Sequence, residues 1–141
     1  MSPLDRAILA ERTMALERHL ARVSDRLPAT PAQLVASSDA SDAVILHLWQ
    51  ATQIVIDLAV AVCVAHELGT PQSYADAFRR LQTAGIIDAA LADRLVRAAG
   101  FRNVVAHAYE QLDMARVFQA ATAGPADLRA FVSAIARRAN P

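Results

Sequence analysis

The chain contains no lysine: all fourteen of its basic residues are arginine, and they balance fourteen acidic residues to a formal net charge of zero. We take the missing lysine as compositional bias rather than chemistry. Zero net charge excludes a global field that gathers polyanions, so a nucleic-acid partner has to be caught by a local cluster. Cysteine is nearly absent as well. With Cys63 alone, no intrachain disulfide and no cysteine-based zinc site can form. Cys63 lies in IVIDLAVAVCVA, where a small buried apolar residue is expected. His19, His47 and His66 do not stand at metal-ligand spacing and are expected to be surface or structural, so no metal and no cofactor is expected. The four glycines form no phosphate-cradling loop, and no Ser-His-Asp hydrolase pattern occurs. MSPLDRAILAER carries charges where a signal peptide needs an unbroken apolar core. The greasiest run, Ile54 to Ala65, is short for a bilayer and contains Asp57. These absences point to a cytoplasmic protein with no membrane association.

What is present is helical signal. The 141 residues suit one compact domain spanning 1–141. In SPLD, Ser2 offers a cap, Pro3 a first helical position and Asp5 the closing residue of a capping box. Leu9, Leu16, Leu20, Val23 and Leu27 follow as an amphipathic stripe that Pro28 and Pro31 end. SSDASD leads into a long helix from about Asp39 to Leu68, stopped by Gly69. SYAD caps a third helix from Tyr74 to about Ala84, ending at Gly85. Asp88 opens a fourth, Asp113 caps a fifth, and GPAD at Gly124 to Asp127 restarts a sixth. No strand alternation, repeat or low-complexity tract competes with this pattern. The expected fold is all-α, an up-and-down bundle of five to six helices.

Between Val44 and Ala65 the second helix is apolar around nearly its whole circumference. It must therefore be central or sit in an oligomer interface. Asp57 within that run is expected either to be buried, where it needs an arginine or histidine partner from another helix, or to reach a solvated edge.

The segment AGFRNVVAHAYEQLD concentrates the chemistry. At ~100° per residue, Val96, Gly100, Asn103 and His107 share one stripe flanked by Ala92 and Ala99, small enough for another helix to approach closely. Arg102 lies ~140° from His107 on an ideal helix, so the two do not stack. They converge on one ligand if the helix unwinds near His107, or if two copies meet at a twofold axis and supply two arginines and two histidines. Such a cleft suits a phosphodiester. Arg102 can grip two phosphate oxygens with its planar fork, and His107 can exchange a proton near neutrality. RNA carries its own nucleophile in the 2′-OH, so removing that proton, stabilising the phosphorane and protonating the leaving 5′-oxygen suffice, without a metal. Asn103 adds a neutral donor, and Tyr109 stands at the rim. Spacing alone leaves open a structural histidine at 107 and a plain salt bridge between Arg102 and Asp57.

GFRNVVAHAYEQLD resembles the signature of the HepT family, the toxin-like branch of the HEPN superfamily: Arg, four residues, His, one residue, Tyr. Arg102, His107 and Tyr109 fill it without a gap. PQSYADAFRRLQTAGIIDAALADRLVRAAGFRN resembles the family's approach to the motif, and ATQIVIDLAVAVCVAHELG its long central helix. The resemblance covers about residues 44 to 113 and, more weakly, the first helix. It implies a HEPN-like homodimer that acts as a metal-independent endoribonuclease on tRNA or mRNA, with Arg102, His107 and Asn103 as its catalytic residues; Asp57 is added from the reading of the second helix as a candidate supporting residue. It further implies a toxin–antitoxin module in which an MntA-type nucleotidyltransferase antitoxin silences the toxin by transferring AMP onto Tyr109. The chain departs from the family pattern at ILHLWQATQ, which has fewer charges than usual, and at Ala106, where a larger apolar residue is common and looser packing beside His107 is expected. The competing expectation is a non-catalytic helical subunit that binds a nucleotidyltransferase and helps present its substrate, a role that zero net charge and alanine-rich helices suit.

Overall fold

The computed structural model describes residues 5–139 of the chain. Five α-helices occur among them: α1 (Arg6–Arg26), α2 (Asp39–Ala65), α3 (Tyr74–Thr83), α4 (Ala89–Ala108) and α5 (Met114–Ala139). Single 3₁₀ turns lie at Pro31–Gln33 and Tyr109–Gln111. The caps explain the starts. Asp5 accepts from the amide of Ala7 at 2.7 Å, Ser38 from Ser41, Ser73 from Asp76 and Asp88 from Leu91. The expected Ser2 cap and Pro3 lie outside the described residues. Asp113 caps α5 as expected, its carboxylate accepting from the Ala115 amide at 2.9 Å.

The expected break at Gly124-Pro125 does not occur; α5 runs through Pro125 without interruption. A mid-helix proline removes one backbone hydrogen bond and crowds the preceding turn. Here Val117 and Ala121 before it and Leu128, Phe131, Val132 and Ile135 after it are all buried, so packing on both sides holds the helix together. The bundle therefore has five helices rather than six.

α2 is the central element and packs against all four others. By length and composition alone it could cross a bilayer, but 56% of its most apolar window is buried inside the bundle. One core cluster gathers around Leu16, Leu20, Val55, Phe78, Leu95 and Phe131, with the Phe78 and Phe131 rings edge-on at 5.9 Å. A second, around Val23, Val44, Leu48, Val105 and Val117, lies under the motif segment. Cys63 is fully buried and its Sγ contacts the Ala77 carbonyl at 3.6 Å; burial pushes its thiol pKa up, consistent with a packing role.

One face of α2 is only partly covered by this packing. Leu46, Gln50, Gln53, Asp57, Val60 and Val64 alternate at spacings of four and three and so form one stripe. Leu46 and Val64 at its ends are 50% and 59% exposed. That face, together with the adjoining turns of α4, is where the motif side chains lie.

Candidate functional site

Arg102 leaves α4 and reaches across to α2. Its Nε donates to Gln53 Oε1 at 2.8 Å, and its Nη1 donates more weakly to Asn103 Oδ1 at 3.3 Å. The guanidinium carbon lies 5.5 Å from the Trp49 ring centre on α2 and 5.4 Å from the Tyr74 ring centre on α3. Two aromatic faces and two amide oxygens thus fix a side chain that would otherwise sample many rotamers. Each cation–π contact contributes about 0.5–1 kcal/mol at a half-exposed position. One cost accompanies this: the Trp49 indole nitrogen is buried with no acceptor among the described residues.

Asp57 is exposed, so of the two alternatives it takes the solvated edge and not burial against an arginine or histidine. The run is apolar around most of its circumference, but Asp57 falls on the partly covered face. Its Oδ1 accepts from Gln53 Nε2 at 2.8 Å. Gln53 therefore stands between Asp57 and Arg102, taking a proton donor on its oxygen and offering its own amide N–H to the carboxylate. This order, Asp57–Gln53–Arg102, replaces the direct salt bridge that sequence spacing left open.

Tyr109 lies in the 3₁₀ turn that follows α4 and is 43% exposed. Its hydroxyl donates to Asp42 Oδ1 at 2.6 Å. This bond, with lesser contributions from burial and from the carboxylate's charge, pushes the phenol pKa up to about 12. Asp42 belongs to the first turn of α2. Arg102 and Tyr109 thus anchor on one α2 face, at Gln53 and Asp42. Those anchors are eleven positions apart, which on an α-helix means about 16 Å along the axis and only about 20° around it.

His107 lies between Arg102 and Tyr109 in the sequence, near the end of α4. It is exposed and makes no hydrogen bond among the described residues. Within one chain the structure brings Arg102 to Asn103, Gln53, Trp49 and Tyr74, and brings Tyr109 to Asp42; it does not put His107 against Arg102. Ala106 is exposed, so the expected loosening beside His107 has no packed neighbours to act on. On the small-residue stripe, Ala92 and Ala99 are buried, whereas Gly100 is open, with no heavy atom within 4 Å of the place its Cβ would occupy. Val104 nearby is 48% exposed.

Sequence reasoning missed Gln53, Tyr74 and Asp42. Gln53 carried a faint signal, since Trp49, Gln53 and Asp57 repeat every four residues on one helix; Tyr74 and Asp42 carried none. His19 and His47 are also not independent: their Nδ1 atoms lie 3.0 Å apart across the α1–α2 contact, far from metal-ligand spacing in sequence. No group of three or more metal-capable residues occurs among the described residues.

The profile of the family described as ribonuclease HepT-like matches residues 16–135. The mRNA nuclease HepT of Shewanella oneidensis is 36% identical over 73 residues, which are 52% of this chain and 55% of that protein, so the match spans about half of the curated relative. A solved structure of a tri-AMPylated Shewanella oneidensis HEPN toxin in complex with an MNT antitoxin superposes with a TM-score of 0.85. It shares 26% identity and covers 94% of this chain and 99% of that one. YutE, a cytosolic protein of unknown function from Bacillus subtilis, shares the fold at a TM-score of 0.82 and 17% identity, over 98% of this chain and 92% of its own.

Proposed function

The chain belongs to the HepT-like ribonuclease family, and from that membership we propose that it is the toxin of a two-component module, an endoribonuclease that needs no metal and is silenced by AMP on Tyr109. The observation that carries this reading is the fixed Arg102 guanidinium on an open face, with an exposed His107 five positions further along the same helix. Arg102 is held by its Nε and by two rings, so its outer N–H groups can meet a phosphate without first being ordered. Asn103 uses its carbonyl oxygen on Arg102, which leaves its amide N–H groups for a substrate oxygen. His107 is exposed, and its imidazole makes no side-chain hydrogen bond among the described residues. A single base cannot also be the acid in one step, and a homodimer across the open face answers this by supplying a second imidazole. Gly100, Val104, Leu46 and Val64 support that dimer, because they leave a small-residue gap bordered by aliphatic surface.

In this mechanism one His107 takes the 2′-OH proton, the 2′-oxygen attacks the adjacent phosphorus, Arg102 stabilises the dianionic phosphorane, and the second His107 protonates the departing 5′-oxygen. The products are a 2′,3′-cyclic phosphate and a 5′-hydroxyl. Asp57 supports Arg102 through Gln53. The substrate is tRNA or mRNA; the curated relative's activity on mRNA favours the latter. The inhibitory partner is an MntA-type nucleotidyltransferase, as the antitoxin of the superposed complex suggests. A nucleotide on Tyr109 adds bulk and negative charge at the rim of the cleft, opposing RNA phosphate. We place the protein in the cytoplasm, in keeping with the soluble-type packing of α2 and the cytosolic relative.

The test is digestion of total RNA by purified protein in excess chelator, followed by end analysis. Cyclic phosphate ends from the wild type and none from His107→Ala are expected. Equal cutting by both overturns the enzymatic reading. Intact RNA, with the chain tightly bound to a nucleotidyltransferase, supports the non-catalytic subunit instead.

A further inference from the structure

A phenol is a poor nucleophile while it keeps its proton, so any group transfer onto Tyr109 requires something to accept that proton. The hydroxyl is already committed to one carboxylate oxygen, Asp42 Oδ1, at 2.6 Å. This is the short spacing of a charge-assisted O–H···O⁻ bond. Both groups lie on the outside of the molecule, and Tyr109 is 43% exposed, so an incoming donor can reach the oxygen from the side away from Asp42. The backbone on each side is set. Asp42 lies in the capped first turn of α2, and Tyr109 begins the turn closed by the Leu112 amide on its carbonyl at 3.3 Å.

We propose that Asp42 is the proton acceptor for nucleotidyl transfer to Tyr109, so that the silenced protein contributes the base for its own modification. This rests on the reading of Tyr109 as the AMP acceptor. In the step, Tyr109 Oη attacks the α-phosphorus of a nucleoside triphosphate held by the partner transferase. The Oη–phosphorus bond forms as the bond from the α-phosphorus to the bridging β-oxygen breaks. Pyrophosphate leaves with that electron pair, and the phenolic proton passes to Asp42 Oδ1 and from there to water. The raised phenol pKa fits this role, because at neutral pH the hydroxyl is fully protonated and does not attack unaided.

The product has a second consequence. Once Oη carries a phosphodiester it no longer donates to Asp42, and two anionic groups face each other where a hydrogen bond stood. Repulsion then disfavours a nucleotide lying against the first turn of α2.

The experiment titrates the chain against an MntA-type nucleotidyltransferase, with ATP labelled at its α-phosphorus, and measures initial label incorporation. Tyr109→Phe marks the site and is expected to take no label. Asp42→Asn still accepts a hydrogen bond but takes no proton. It is expected to lower kcat by about 10²-fold, within the range typical of a lost general base, with the KM for the chain unchanged. Asp42→Glu, which restores a carboxylate, is expected to recover most of the rate, and circular dichroism confirms that each variant folds. Label on the wild type matched in rate by Asp42→Asn overturns the role of Asp42 alone. A defect confined to KM also overturns it, because it assigns Asp42 to docking. A wild type that takes no label overturns both the acceptor reading and this proposal.

Discussion

Gln53 lies between Asp57 and Arg102, accepting from the guanidinium Nε at 2.8 Å and donating to the carboxylate at 2.8 Å. An amide in that place fixes the direction of the arginine without neutralising its charge, which a directly paired carboxylate would do. Replacing Gln53 with leucine, similar in volume but without an acceptor, is expected to lower RNA cleavage about tenfold through kcat. Fold stability should change by less than about 1 kcal/mol, because the site is half-exposed. Gln53→Glu is expected to bind the guanidinium more firmly yet also to slow cleavage, since the paired charge attracts phosphate less. Steady-state kinetics on a defined RNA, with thermal melts alongside, check both.

His107 has no structural partner among the described residues, so its removal separates chemistry from folding. His107→Ala is expected to keep the wild-type melting temperature to within about 0.5 kcal/mol of stability and to lose about 10²–10⁴-fold in cleavage. Arg102→Ala is expected to lose activity and also some stability, because two aromatic contacts go with it. Parallel melts and rate measurements distinguish the two patterns.

The His19–His47 pair makes stability depend on pH. Burial, and then the positive charges of Arg12, Arg18, Arg22 and Arg26 around the two rings, lower both imidazole pKa values below 6.5; His47 itself adds to the effect on His19. The two Nδ1 atoms at 3.0 Å need one donor and one acceptor, an arrangement that double protonation removes. The unfolded chain therefore binds protons first. Stability is complete above about pH 6.5 and falls as the pH drops through the depressed folded-state values. Melting temperatures from pH 7.5 to 5 should decline in that order, and His47→Gln should flatten the decline.

Pro125 is tolerated rather than required. Its ring removes one backbone hydrogen bond from the middle of α5. Pro125→Ala is expected to raise stability by about 1–2 kcal/mol, less than the full cost of a helix-interior proline because the unfolded chain gains freedom. Urea denaturation measures this, and a loss of stability would show that the proline ring packs productively.

The helices were legible where their signals were local. Ser73, Asp88 and Asp113 cap as the sequence suggests, the SSDASD stretch leads into α2 with Ser38 as its cap, and the apolar run of α2 becomes the centre of the bundle. The Gly124-Pro125 pair misled because burial of Phe131 and Val117 on either side outweighs a local breaker. Arg102, Asn103, His107 and Tyr109 could be singled out because unlike polar types crowd one apolar segment. Their partners could not. Gln53, Tyr74 and Asp42 stand 49, 28 and 67 positions from the residues they hold, and only the antiparallel run of α4 along α2 and the placement of α3 bring them there. For Asp57 the sequence left burial and a solvated edge both open for a related reason: a helix nearly apolar all round still has an outer face, and which face that is depends on how its neighbours dock.

The central claim is that this face is built for attack by a ribose 2′-OH on the adjacent phosphorus. The most direct test uses an oligoribonucleotide spanning a mapped cleavage site and the same oligonucleotide with a single 2′-deoxy substitution 5′ to the scissile phosphate, both in excess chelator. Cleavage of the first to a 2′,3′-cyclic phosphate, and binding without cleavage of the second, are expected. Cleavage of both at similar rates would contradict that claim.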